Sequence, residues 1–131
     1  MKTINIGLMG FGTVGTGVVR LLAEHAALLE RRVGANLRLK RIADRHIDIP
    51  RPVEVDPKLL TPDPRQVVQD PSVDIVVELL GGITPTRELC LEALKRGKHL
   101  VTANKALLAT HSLELFEAAS ESRVDLGFEA S

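Results

Sequence analysis

The spacing of apolar and polar residues changes period along this chain, and each change predicts an element. Residues 3–8 (TINIGL) read as a short buried strand, and beyond the glycines that follow, apolar side chains recur at Val14, Val18, Leu21, Leu22, Leu28 and Leu29 at helical intervals. A second strand is predicted over residues 37–43, with charges interleaved at Arg38, Lys40 and Arg41. The texture then changes. Six of the seven prolines lie between Pro50 and Pro71, which forbids a central strand there and predicts an irregular surface connection with one helical turn around residues 65–69. Alternation resumes at residues 73–80, a nearly unbroken aliphatic run of the kind covered on both faces in a parallel sheet. Thr84 is the predicted N-cap of the next helix, with Pro85 at its first position and Leu89, Cys90, Ala93 and Leu94 as its buried stripe. Lys95 and Arg96 complement its C-terminal partial charge, and Gly97 ends it. A strand over 98–102, helical segments to about 121 that break near 110–112, and a last strand over 124–128 complete the pattern.

This order, with right-handed crossovers, predicts an α/β domain over residues 1–131: a doubly wound, mainly parallel sheet with helices on both faces. The Pro-rich stretch is then an excursion within the domain rather than a linker. Ligands of such sheets bind at the carboxyl ends of the strands, where the strand order reverses.

Composition narrows the chemistry. The aromatic residues are three Phe with no Tyr or Trp, so the core is aliphatic. With 17 basic against 17 acidic residues there is neither the basic footprint nor the stacking platforms of a nucleic-acid binder. Cys90 is the only cysteine, which excludes an intrachain disulfide or a thiolate zinc cluster and fits a reducing, cytoplasmic setting; its neighbours Leu89 and Leu91 favour a buried thiol. His25, His46, His99 and His111 are scattered without ligand spacing, so no metal site is expected. No run approaches the ~18 apolar residues of a membrane span, and no signal-peptide pattern opens the chain, so a soluble protein with no membrane partner is expected.

Between the first strand and the first helix stands GFGTVG. Gly10 permits the tight turn, Gly12 lets backbone approach a pyrophosphate, and Gly15 lets the helix pack closely on the sheet. With a strand before it and a helix after it, this is the context a Rossmann-like dinucleotide fingerprint requires. No Gly-Lys-Ser/Thr follows, which disfavours nucleoside triphosphate hydrolysis. At the end of the second strand, Asp44 suits a free ribose 2′-hydroxyl and NAD, whereas Arg45, with Arg41 or Lys40 near it, suits a 2′-phosphate and NADP; both cofactors stay open. Gly81 and Gly82, and Thr102, Ala103, Asn104 and Lys105, fall at the carboxyl ends of neighbouring strands, where the nicotinamide end would extend. Lys105 is a cation in a helix first turn, against the helix dipole, which points to a task other than stabilising the helix.

In this order GFGTVG, DIVVELLGG, VTANKALLA and the terminal FEAS resemble the N-terminal cofactor domain of homoserine dehydrogenase over nearly the whole chain. The glycine loop is common to many families, and the TANK box and FEAS are far more specific. The resemblance implies an oxidoreductase that interconverts aspartate 4-semialdehyde and homoserine with NADPH or NADH, on the route to threonine, methionine and isoleucine. It assigns Phe11, Thr13 and Val14 to cofactor contacts and makes Lys105 a candidate catalytic or substrate-orienting group. In that family EAS leads into a substrate and dimerisation domain. The chain is therefore expected to be the cofactor domain of a homo-oligomeric parent, binding dinucleotide and catalysing nothing measurable by itself. Two other readings share the glycine loop: related amino-acid-pathway reductases such as aspartate dehydrogenase or dihydrodipicolinate reductase, and a stand-alone nucleotide-sensing domain of the kind that gates potassium channels.

Overall fold

Strand order reverses at β1 (Thr3–Met9), and that reversal organises the molecule. On one side of β1 lie β2 (Asn36–Ala43) and then the two-residue β3 (Leu60–Thr61); on the other lie β4 (Ile75–Glu78), β5 (His99–Thr102) and β6 (Leu126–Phe128). The order is β3-β2-β1-β4-β5-β6, and each neighbouring pair runs parallel. The computed structural model describes residues 2–128; the expected EAS motif therefore lies outside the described residues.

Right-handed crossovers decide which helix covers which face. The step from β1 to β2 runs opposite to the later ones. It places α1 (Thr13–Glu24) and α2 (Ala26–Val33) on one face, where Val18, Val19 and Leu22 pack on Ile6, Leu8, Ile42 and Val77. The steps toward β4, β5 and β6 all march the other way. They put α3 (Arg65–Val68), α4 (Thr86–Lys95) and α5 (Lys105–Ser122) together on the second face, over Met9, Ala43, Val76 and Leu100. Alternate residues of each strand thus feed two aliphatic cores. The first face stays thinly covered beyond β4, and Val101, in the middle of β5, is 43% exposed.

Helix ends follow local chemistry. Gly97 closes α4 at φ +82, with Lys98 N–H donating to the Ala93 carbonyl (3.0 Å) and Gly97 N–H to that of Leu94 (3.0 Å), the paired bonds of a Schellman ending. The expected break near 110–112 is present at His111, whose φ −132 interrupts α5. Three local expectations are corrected. The periodic stretch from Val14 to Leu29 is two helices, broken at His25, not one. Thr84 does not cap α4: the helix begins at Thr86, with Pro85 in the cap position and no side-chain cap bond. Within the Pro-rich excursion β3 adds a strand, at the sheet edge, where proline on either side does no harm. Cys90 is fully buried, and burial pushes its thiol well above the ordinary range, so it is an inert core residue.

Candidate functional site

The glycine corner is built by contact on two sides. Gly10 adopts φ +114, its N–H donates to the Ala43 carbonyl at the end of β2 (2.7 Å), and a Cβ there would stand 2.8 Å from the Leu79 carbonyl oxygen just past β4. A side chain at Gly15 would run into the Gly10 carbonyl, which is how α1 comes so close to the turn. Gly12 differs: a Cβ there meets nothing within 4 Å. Among the described residues no steric demand asks for glycine at that position, and the space above it is open. Gly12 is also the N-cap of α1 and brings no side-chain cap, leaving the first N–H groups of the helix, from Thr13 onward, facing the same space.

From this corner a cleft of about 520 Å³ runs outward, lined among others by Gly12, Thr13, Arg20, Asp44, His46 and Arg51. Asp44 is committed to backbone. One carboxylate oxygen accepts from Phe11 N–H (2.9 Å), the other from His46 N–H (2.9 Å) and the Arg51 guanidinium (3.0 Å). Burial alone would raise its pKa, but the Phe11 and His46 amides and the Arg51 charge outweigh that and hold it below the ordinary carboxylate value. Arg51 also donates to the carbonyls of Phe11 (2.7 Å), Ile49 (2.8 Å) and His46 (2.9 Å), and lies 4.4 Å from the centre of the buried Phe11 ring. It pins the start of the Pro-rich excursion onto the glycine loop. Arg20, on α1, is exposed and donates one bond to the Pro52 carbonyl (3.2 Å).

A second cleft, of about 210 Å³, is lined by Val14, Glu78, Leu79, Gly81, Ala103 and Asn104. It joins the glycine loop to the TANK box, since Val14 stands on one wall and Ala103 and Asn104 on the other. Asn104 serves twice: its Oδ1 caps α5 by accepting from Leu107 N–H (3.1 Å), and its Nδ2 donates to the Gly82 carbonyl (2.6 Å). The buried Thr102 hydroxyl donates to Glu78 (2.5 Å) and accepts from Asn104 N–H (3.0 Å). Lys105, the first residue of α5, is exposed immediately beyond.

The fold thus brings Gly10 to Gly15, Gly81, Gly82 and residues 102–105 to one edge of the sheet, with Asp44 beside the glycines. Arg45 is exposed and does not line the cleft next to Asp44. The guanidinium groups that do are Arg20 and Arg51, neither of which stands at the strand end in the sequence. Glu78 falls within the aliphatic run predicted over residues 73–80, and its partners were not legible from the sequence.

A comparison of the sequence with known families decides the relationship. The model of the family described as "Homoserine dehydrogenase, NAD binding domain" matches residues 10–129. The chain belongs to the homoserine dehydrogenase family. Homoserine dehydrogenase of Corynebacterium glutamicum is 51% identical over 130 residues, covering 99% of this chain and 29% of that protein. The crystal structure of S. aureus homoserine dehydrogenase superposes with a TM-score of 0.91 at 42% identity, over 99% of this chain and 34% of that one. A hyperthermophilic archaeal homoserine dehydrogenase solved in complex with NADPH gives a TM-score of 0.76 at 26% identity, over 97% of this chain and 44% of that one. The chain therefore spans less than a third of the curated relative's length and corresponds to the NAD-binding domain, with the Rossmann-like fold of that family. Membership separates it from the related reductases and the nucleotide-sensing domains that share a glycine loop. Among the described residues no helix is long and apolar enough to cross a membrane.

Proposed function

We propose that this chain holds NADPH or NADH across the carboxyl edge of its sheet, and that it does so for an enzyme interconverting aspartate 4-semialdehyde and homoserine. The observation that carries the reading is the shared edge: the open space above Gly12 and the small cleft between Val14 and Asn104 adjoin the same loop. A diphosphate suits the uncapped start of α1, where N–H groups and the helix dipole both favour an anion. The nicotinamide end suits the cleft lined by Gly81, Ala103 and Asn104. When bound, the nicotinamide supplies or accepts the hydride. The 2′-phosphorylated cofactor is the better fit, because Asp44 has both oxygens engaged and its charge offset by Arg51, while Arg20 adds a further positive charge to the cleft.

Lys105 is the group we assign to the proton. An ammonium next to the nicotinamide cleft can donate a hydrogen bond to the substrate oxygen and give up or take the proton that accompanies hydride transfer. The rest of the machinery, the substrate pocket and the contacts of a homo-oligomer belong, by the family resemblance, to the part of the enzyme beyond this domain; the enzyme is cytoplasmic in this reading. In the full-length enzyme, Lys105→Ala should lower kcat for homoserine oxidation by roughly 100-fold or more while leaving the dissociation constant for NADPH within about threefold. Unchanged turnover in that variant would remove Lys105 from the chemistry.

A further inference from the structure

The buried network around Glu78 has no counterpart in the assignments above. Glu78 is 1% exposed, at the end of a strand otherwise built of Ile75, Val76 and Val77. A buried carboxylate is expensive, and an aliphatic side chain would fill the same space at lower cost if packing were the only requirement. Its two oxygens go to two different loops. Oε2 accepts from Gly81 N–H (3.0 Å), and Oε1 accepts from the Thr102 hydroxyl (2.5 Å). Thr102 in turn receives Asn104 N–H, Asn104 reaches back to the Gly82 carbonyl, and the Thr86 hydroxyl donates to the Gly81 carbonyl (2.8 Å). The ring of bonds closes: the ends of β4 and β5 and the starts of α4 and α5 are tied through one carboxylate.

We propose that Glu78 is a positioning residue that clasps the Gly81–Gly82 loop to the Thr102–Asn104 segment, shaping the cleft for the nicotinamide end of the dinucleotide and setting the direction of Lys105. This rests on the reading of the cleft as the nicotinamide site. Glu78 itself need not touch the ligand, since both of its oxygens already have protein donors. It acts through the backbone of Gly81 and Asn104. Glutamine in its place keeps the shape but offers a single acceptor oxygen, so the Gly81 amide and the Thr102 hydroxyl can no longer each donate to their own acceptor oxygen.

The test separates the two ends of the cofactor. Calorimetric titration of the chain with NADPH and with 2′,5′-ADP, which lacks the nicotinamide half, gives both affinities. Glu78→Gln and Thr102→Val should each weaken NADPH about tenfold and leave 2′,5′-ADP within about twofold. Thr102→Ser keeps the hydroxyl and should bind both ligands like the unaltered chain, so the threonine pair carries the test even if Glu78→Gln does not fold. Unaltered NADPH affinity in the variants, or equal loss for both ligands, would overturn the clasp. An unaltered chain that binds 2′,5′-ADP and gains nothing from the nicotinamide half would overturn it too, leaving the adenosine side intact. Failure to bind either ligand would instead overturn the proposed function, and the clasp with it.

Discussion

Asp44 and Glu78 stand at the carboxyl ends of the two strands that flank β1, and both hold loops in place, yet their surroundings differ. Asp44 lies near water, paired with the Arg51 guanidinium and two loop amides. Glu78 is sealed beneath a loop and receives one hydroxyl and one amide. Near solvent, a charge pair fastens the long Pro-rich excursion onto the glycine loop with modest energy and can respond to pH and salt. In the core, the same chemical group gives direction rather than charge pairing, because each lost partner leaves a buried polar atom unsatisfied. In the proposed binding mode, the adenosine side is therefore the adjustable end of the groove, and the nicotinamide side the rigid one.

Gly10 is where the two ends meet, so altering it should break both. Alanine there must accept φ +114 and a Cβ 2.8 Å from the Leu79 carbonyl, against backbone rather than a movable side chain. Gly10→Ala should destabilise the chain by about 3 kcal/mol, and thermal unfolding should show a midpoint lowered by roughly 10 °C together with loss of affinity for both NADPH and 2′,5′-ADP. A variant with the original midpoint would mean that the two ends are not joined through this turn.

The next effect in size sharpens the contrast on the adenosine side alone. Arg20→Ala should weaken NADPH about tenfold and NADH hardly at all, since only the former carries the 2′-phosphate. Arg45→Ala, at the exposed position outside the cleft, should change neither. Equal losses for the two cofactors in Arg20→Ala, read by fluorescence titration, would count against a phosphate contact.

The smallest effect concerns pH. Because the folded protein holds Asp44 below its ordinary pKa of 3.8, the ionised carboxylate stabilises the fold. That contribution is fully present above the ordinary value and disappears as pH falls through the lower folded one. Asp44→Asn should therefore cost about 1 kcal/mol at neutral pH, and the gap between variant and parent in denaturant melts should shrink only below pH 3.8. A gap that persists into strong acid would show that packing rather than charge is responsible.

What the sequence disclosed follows from how local each feature is. The strands and the longer helices were legible because their periodicity is nearly uninterrupted, and the bend at His111 because polar Thr110, His111 and Ser112 break an apolar stretch. The separation of α1 from α2 was not, since no glycine or proline marks His25 and the apolar spacing continues across it. β3 is two residues long and its strand character comes entirely from pairing with Ile42 and Ala43. In the site, the glycine turn depends on neighbours within a few residues and could be read directly. Arg51 and Asp44 meet only because the Pro-rich excursion returns to the glycine loop, a tertiary event with no signature in residue spacing. The same holds for the meeting of Glu78 with Thr102, 24 positions apart.

The most direct test of the account is to titrate the chain with NADPH and follow its backbone amides by heteronuclear NMR. The account predicts saturable binding with shifts concentrated at Gly12 to Gly15 and at Gly81, Ala103 and Asn104, two separated stretches responding at the same ligand concentration. Shifts gathered instead around Lys2, Asp74 and His99, which line a cleft at the opposite ends of the strands, would contradict it.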